Sequence, residues 1–267
     1  MRLPVPIFKD DKVYKEIELK EPTLQALKQA KKTRENGGTF KAYIDFFKYC
    51  IVAIDDVTDK TSLSELIKYI PIMNAVPLAQ ELTLMFNCGE EKGIEGLYSC
   101  PLCETIIRAE KTKDYDTSDY LSQLETLYYE EDTNLIHVDF EKSVIITDAT
   151  TGEEFIRVES IDYTIPTLED CVIAEKTSGP DDFDIAIFAQ PVKLINGEEH
   201  DKKFKDTWLK YILQNIKDAK TLKRLNKGFT DYGLKNTFEK TCRECGKVFN
   251  IIPKTTNFFD YTLQSLS

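Results

Sequence analysis

The chain has 267 residues and a formal net charge of −11, from 35 Lys+Arg against 46 Asp+Glu. That length can bury a sizeable core in one large or two small domains, and a hydrophobic content of 42% is ordinary for a globular protein. The acidic balance argues against duplex nucleic acid and against anionic membrane surfaces, both of which are bound through clustered Lys and Arg, but it admits a basic protein partner.

The opening "MRLPVPIFKDD" has no apolar h-region, so no secretory leader is expected, and apolar runs such as "CIVAI" are too short to span a bilayer. The protein is expected to stay in the compartment where it is made. "KVYKEIELKE" reads as strand. Thr23 of "PTLQALKQAKK" is placed to N-cap a helix from Leu24 to about Glu35, stopped by Asn36-Gly37-Gly38. "TFKAYIDFFKYCIVAI" has helical spacing and carries Tyr43, Phe46, Phe47, Cys50 and Ile54 on one stripe. Ser62 with Glu65 has the form of a capping box, and Pro77 is expected to open the helix "LAQELTLMF". "LSQLETLYYEED" (Leu121 to Asp132) is ambiguous. "LIHVDFEKSVIITDATTGEEFIRVESIDYTI" alternates as an antiparallel hairpin with Thr151-Gly152 near its turn, and "TWLKYILQNIKDAKTLKRLNKGF" reads as helix with Trp208, Tyr211, Ile212, Ile216 and Leu222 near one stripe. The basic windows Lys28 to Glu35 and Lys217 to Gly228 read as solvated helix faces.

The seven cysteines are an odd number in a chain without an export signal, so no disulfide framework is expected. Cys50 and Cys171 lie in apolar patterns and read as buried thiols; Cys88 is less certain. The other four form two CxxC pairs, Cys100/Cys103 in "SCPLCETIIRAE" and Cys242/Cys245 in "TCRECGKVFNII", each followed by a β-like run. Zn²⁺ favours four tetrahedral ligands with thiolates in structural sites, and a CxxC turn leading into a strand is the knuckle of a zinc ribbon. The long stretch between the pairs costs little, because closure entropy grows only logarithmically with loop length. One shared Zn²⁺ on Cys100, Cys103, Cys242 and Cys245 is the leading reading. Two half-sites with other ligands, or four plain thiols without metal, are the alternatives. His137 and His200 match no ligand spacing and read as a strand residue and a loop residue.

A second echo accompanies the cysteines. "PTLQALKQAKK" and "PTLEDCVIAEK" share Pro, Thr, Leu, Ala and Lys at the same offsets, and Pro22 precedes Cys100 by the same distance as Pro166 precedes Cys242 to within two residues. The reading is an α+β fold, helix-rich, with antiparallel β-hairpins and a zinc ribbon, built by internal duplication of a hairpin–helices–CxxC unit. The units are 1–120 and 121–267, with an insertion at 178–200, joined by the shared zinc. No Gly-rich phosphate loop, GxSxG or HExxH occurs. The adjacent carboxylates Asp55-Asp56, Glu90-Glu91 and Asp181-Asp182 read as solvated charge, since a catalytic pair needs convergence in space. Four thiolates close the coordination sphere of zinc, so the site is expected to be structural and the protein not an enzyme.

The ordered segments "SCPLCETI", "IDYTIPTLEDCVIAE" and "FEKTCRECGKVFNIIPKTTNFFDY", the last with Phe258 and Phe259, resemble the baseplate hub assembly proteins of T-even-type contractile phage tails. "IELKEPTLQALKQA" is also similar to the opening of tail assembly chaperones. The resemblance runs through most of the chain but is distinctive only at the cysteine and PTL segments. It implies a non-enzymatic protein of baseplate or tail assembly, working in the host cytoplasm on hub or tail proteins. It implies either a subunit kept in the particle or a chaperone released from it, and only the four cysteines carry over as site residues. Gly246 matches the pattern of the second knuckle, but Glu104 stands at its place in the first, so that turn is expected to differ. The ending "NFFDYTLQSLS" reads as a docking segment or as packing beneath the second knuckle. The competing class is a zinc-ribbon nucleic-acid-binding or transcription-associated module, against which the net charge speaks.

Overall fold

The computed structural model describes residues 1–86, 96–109, 125–147, 150–179, 182–235 and 238–251. Cys88, Glu90-Glu91, Asp181, Phe258, Phe259 and the chain ending lie outside the described residues. The fold is mixed α+β with antiparallel sheets.

The first half opens with β1 (Arg2–Lys9) and β2 (Lys12–Leu19), an antiparallel hairpin turning at Asp10 and Asp11, both at positive φ. Thr23 caps α1 (Leu24–Gly37) by accepting from the Ala26 N–H at 3.1 Å, and Gly38 ends it at φ 93°. Next, α2 (Thr39–Cys50) stops where β3 (Ile51–Ile54) begins. The helical stripe expected to reach Ile54 is therefore cut at Cys50. Ile51 and Val52 are β-branched, and the "IVAI" run gains a ladder with β2 that no helix could offer it. In α3 (Lys60–Leu66) the cap is Asp59, accepting from the Ser62 N–H at 2.9 Å. Ser62 is thus inside the helix, and Glu65 binds Lys9 and Lys68 instead of closing a capping box. Pro77 lies within the first turn of α4 (Ala75–Phe86) rather than opening it.

Two short hairpin strands follow, β4 (Gly96–Ser99) and β5 (Ile106–Ala109), and then β6 (Thr126–Leu127), the only regular element among the described residues of the ambiguous stretch, of which 121–124 lie outside the described set. The expected long hairpin is present as β7 (Leu135–Thr147) and β8 (Glu154–Thr164). α5 (Leu168–Thr177) starts from a full capping box between Thr167 and Asp170. α6 (Phe183–Ala189), β9 (Val192–Ile195) and β10 (Glu198–Glu199) come next. The long helix read over residues 207–229 is divided. α7 (Lys202–Phe204) passes through a π-helical turn (Lys205–Leu209) into α8 (Lys210–Gln214), and α9 (Ala219–Thr230) restarts from Asp218, which accepts from the Thr221 N–H at 2.7 Å. An Asp that can cap competes with helix continuation. The break also splits the aromatic stripe: Ile212 and Ile216 are buried, while Tyr211 and Leu222 are exposed. The chain closes with β11 (Gly233–Leu234), paired to β6, and the hairpin β12 (Phe238–Thr241) and β13 (Val248–Ile251).

The two main sheets, ordered β1-β2-β3 and β10-β9-β8-β7, have matching registers. Arg2↔Glu16 and Ile7↔Tyr14 with an irregularity between them have counterparts in Asp139↔Ser160 and Val144↔Val158 with an irregularity between them. Ile17↔Ile54 and Glu18↔Ala53, then a shift to Leu19↔Ile51, match Ile161↔Ile195 and Asp162↔Leu194, then a shift to Tyr163↔Val192. After the third strand each sheet has a residue at positive φ, Asp55 at 46° and Asn196 at 52°. The Asp55 N–H donates to the Glu16 carbonyl and its Oδ1 accepts from the Lys15 and Glu16 N–H groups. The Asn196 N–H donates to the Ser160 carbonyl and its Oδ1 accepts from the Glu159 and Ser160 N–H groups. Asp55 is therefore a backbone clasp, not half of an acid pair. Residues 178–200, read as an insertion, contain α6 and β9, which stand in the element order where α2 and β3 stand earlier.

The halves share their interior. The main core gathers Leu3, Ile7, Phe46, Phe47, Ile70, Leu78 and their neighbours from the first half, together with Leu168 and Val172 from α5. The Glu175 carboxylate of α5 accepts from the Thr39 and Phe40 N–H groups at 2.9 and 3.2 Å, so one half caps the α2 N-terminus of the other, where Gly38 has no side chain to do so. A Cβ on Gly38 would meet Glu175 Oε2 at 2.4 Å. A second core lies between β7–β9 and the helices α8 and α9.

The clasps predict a matched pair of mutational effects. Asp55→Ala and Asn196→Ala should each destabilise by about 1–2 kcal/mol in urea titration, the cost of backbone N–H groups that lose their acceptor. Asp55→Asn should retain most of the stability, since Asn does the same work at residue 196. In the shared core, Leu168→Ala should cost about 3 kcal/mol through loss of packing and a cavity.

Candidate metal centre

Each CxxC pair sits in the turn of a two-stranded hairpin. β4 and β5 pair with Ser99 opposite Ile106, and β12 and β13 pair with Thr241 opposite Val248. The turns are alike bond for bond. The Cys100 N–H donates to the Thr105 carbonyl at 2.9 Å and the Glu104 N–H returns to the Cys100 carbonyl at 2.9 Å. The Cys242 N–H donates to the Lys247 carbonyl at 2.8 Å and the Gly246 N–H returns to the Cys242 carbonyl at 2.9 Å. This geometry requires a left-handed residue after the second cysteine, and both turns have one: Gly246 at φ 67° and Glu104 at φ 59°. The expectation that Glu104 would alter the first turn is overturned. The hydrogen bonds that close the knuckle hold a glutamate in the conformation glycine adopts freely.

The turns bring Cys100, Cys103, Cys242 and Cys245 together, with all four sulfurs within 4.8 Å of one another. Cys103 Sγ is 3.5 Å from Cys242 Sγ, and Cys100 Sγ is 3.7 Å from Cys245 Sγ. These separations are far beyond a disulfide bond of about 2.05 Å. Four sulfurs at about 2.3 Å from a tetrahedral zinc would stand about 3.8 Å apart, so the donor set fits such an ion in both chemistry and spacing. Among the described residues this is the one cluster of Cys, His, Asp and Glu that could hold a metal. Cys100 and Cys242 are buried, whereas Cys103 and Cys245 face solvent.

The second sulfur of each pair receives a hydrogen bond from the backbone two residues on, Thr105 N–H to Cys103 and Lys247 N–H to Cys245. Thr105 adds its hydroxyl at 3.2 Å from Cys103 Sγ. The Thr105 hydroxyl and its backbone N–H hold the Cys103 thiol down at about 6. At Cys245 the Lys247 N–H works in the same direction, but desolvation and the three neighbouring sulfurs push that thiol up to about 12. A divalent metal on these sulfurs would require all four to be deprotonated. Thr105 was not singled out in the sequence; its position two residues after the second cysteine was the available signal.

The remaining sequence candidates take no part in the cluster. Cys50 and Cys171 are fully buried, and burial raises both thiols, Cys50 to about 12. Asp182 pairs with Lys210, and His200 stacks on Phe204 with ring centroids 4.1 Å apart. His137 is on β7, its Nδ1 2.7 Å from Asp162 Oδ1 and its Nε2 3.1 Å from Asp139 Oδ1. No helix of the described residues is long and apolar enough to cross a membrane. Comparison with known proteins finds no matching family model, no matching curated protein and no matching solved structure.

Glu104→Gly should stabilise the first knuckle by about 0.5–1 kcal/mol, the relief of a left-handed residue less the added freedom of glycine in the unfolded chain. Gly246→Ala, with no atom near the new Cβ, should cost about 1 kcal/mol through φ alone. Competition with a chelator reads both as changes in metal affinity. The carboxylates Asp162 and Asp139 raise the His137 imidazole. Its contribution to stability is present in full below the unfolded pKa and is lost as pH rises through the raised folded value. The melting temperature of the wild type should fall relative to that of His137→Gln as pH is raised from below about 6.5 through that value.

Proposed function

We propose that this chain is a non-enzymatic assembly protein of a phage tail baseplate, in which a structural Zn²⁺ on Cys100, Cys103, Cys242 and Cys245 staples two degenerate copies of one unit. The observation that carries the staple is the meeting of four sulfurs from two turns of the same design, within 4.8 Å of one another. Four thiolates leave a tetrahedral ion no open position for substrate or water, so its free energy goes into folding. A tetrahedral set of four thiolates suits zinc or iron, and zinc is chosen as the ion of the zinc ribbon that the knuckle-then-strand pattern resembles.

The duplication draws support from the matched registers of the two main sheets, the Asp55 and Asn196 clasps, and the Thr23 and Thr167 caps. On this reading the units are 1–120 and 121–267, and residues 178–200 belong to the repeated plan. The phage setting rests on the motif order of the cysteine and PTL segments. A net charge of −11 fits a soluble protein steered towards basic faces on hub or tail proteins in the host cytoplasm.

Elemental mass spectrometry of the natively purified chain should give one zinc per chain, and iron in its place would overturn the choice of metal. Cys242→Ser should lose the zinc and lower the melting temperature of the whole chain, because one missing ligand undoes the site. Affinity purification from infected cells should retrieve tail or hub proteins. Retrieval of RNA or DNA in a salt-sensitive manner would favour the nucleic-acid-binding alternative.

A further inference from the structure

The four cysteines differ in access in a way that a purely structural site does not require. Each knuckle supplies one buried sulfur, Cys100 or Cys242, and one exposed sulfur, Cys103 or Cys245. The exposed sulfur of each knuckle lies against the buried sulfur of the other: Cys103 is 3.5 Å from Cys242, and Cys245 is 3.7 Å from Cys100. An exposed cysteine sulfur beside a second sulfur is the arrangement that thiol oxidation uses, with one sulfur oxidised from solvent and the other closing on it.

Resting on the reading that these cysteines hold zinc, we propose that the cluster is a thiol-oxidation site for hydroperoxides, which eject the metal and close two crossed disulfides, Cys103–Cys242 and Cys100–Cys245. The exposed Cys103 sulfur attacks the terminal peroxide oxygen. The S–O bond forms, the O–O bond breaks, and the remaining oxygen leaves as water or an alcohol after taking a proton from solvent. Cys242 then attacks the sulfenic sulfur, the S–S bond forms, and the hydroxide displaced takes a second proton. A second hydroperoxide does the same at Cys245, resolved by Cys100. Four thiolates give up four electrons, two hydroperoxides are reduced, and the zinc, left without thiolate ligands, departs. The pairs of sulfurs must close by about 1.5 and about 1.7 Å to reach bonding distance, a displacement that side-chain rotation can supply.

Crossing is what gives the inference its consequence. Disulfides within each CxxC would free the knuckles from each other once the metal left. Crossed disulfides keep residues 100–103 tied to residues 242–245, so a coordinate staple is replaced by a covalent one, which thiol reductants and zinc would reverse.

The test is titration of the zinc-loaded full chain with hydrogen peroxide, reading zinc release with a chromogenic chelator and mapping disulfides by mass spectrometry of non-reduced peptides. The expected result is one zinc released per two peroxides, with peptides linked Cys103–Cys242 and Cys100–Cys245, and recovery of zinc binding after dithiothreitol. Cys103→Ser in zinc-free form should consume one equivalent and form Cys100–Cys245 alone. Disulfides within the CxxC pairs, sulfinic acids without disulfide, or zinc retained after the thiols are consumed would each overturn the proposal. The zinc-free wild type is mapped in parallel. Crossed disulfides in a protein that takes up neither zinc nor cobalt would sink the metal reading while upholding the thiol pairing. Zinc binding followed by disulfides within each pair would sink only the present inference.

Discussion

Four ionisable sulfurs within 4.8 Å of one another are a constraint before they are a feature. As thiolates they repel, and as thiols they give up little by separating, so their convergence needs either a cation or a scaffold rigid enough to force it. The local scaffold is slight. Each knuckle is a two-stranded hairpin, a unit that is marginal in water by itself. Of the apolar side chains described there, Leu102 is 68% exposed, Ile106 66% and Val248 48%. A tetravalent link between the hairpins would add to what such a scaffold supplies, and structural zinc sites are worth about 10–16 kcal/mol in small zinc domains. The burial of Cys100 and Cys242 amid otherwise exposed residues is the signature of hairpins organised around their sulfurs.

The rest of the molecule is held by a different device, used twice. The third strand of each main sheet ends in a residue whose side chain binds back onto the second strand, Asp55 in one sheet and Asn196 in the other. This clasp fixes the turn and the strand register at once, because its backbone N–H and its side-chain oxygen address the same residue, Glu16 or Ser160. The helix ends are tied in parallel fashion, with the Lys20 N–H bonding to the Cys50 carbonyl and the Thr164 N–H to the Pro191 carbonyl. The two sheets thus share a hydrogen-bond plan although the segments that form them share little sequence.

That contrast explains how much the sequence disclosed. The convergence of the four cysteines was legible because each CxxC pair in a turn before a β-like run is a pattern of fixed residue identity and spacing. The Thr23 helix start was legible because a cap needs a short side-chain acceptor. The long β7–β8 hairpin announced itself by alternation. The clasps were not legible: Asp and Asn differ in charge, share one geometry, and sit in sequence contexts that look like solvated loop. The "IVAI" strand hid behind the helical spacing of α2, whose last turn it continues in phase, and only its pairing with β2 separates the two. The break at Asp218 was hidden for the opposite reason, since apolar spacing carries across it while the Asp cap restarts the helix. Glu104 is the instructive error at the site. A glycine preference was read as a requirement, whereas a turn closed by two backbone hydrogen bonds and further braced by Thr105 imposes its conformation on a glutamate.

The two joints between the halves differ in kind, and this bears on what the protein can do. One is a packed interface, in which α5 gives Leu168 and Val172 to the first core and Glu175 to the α2 N-terminus. It depends on apolar burial and cannot be undone without unfolding. The other, at the knuckles, is a meeting of four sulfurs from two turns, which on the proposed reading would answer to metal and to oxidants. A chain joined only by the first would be an ordinary fold, and one joined only by the second would be a hinge. With both, the proposed chemistry of the hairpin tips could change while the interior stays fixed. Exposed Leu102, Ile106 and Val248 are carried on those same tips. Any partner contacting them would therefore meet a surface whose order depends on the sulfurs beneath it.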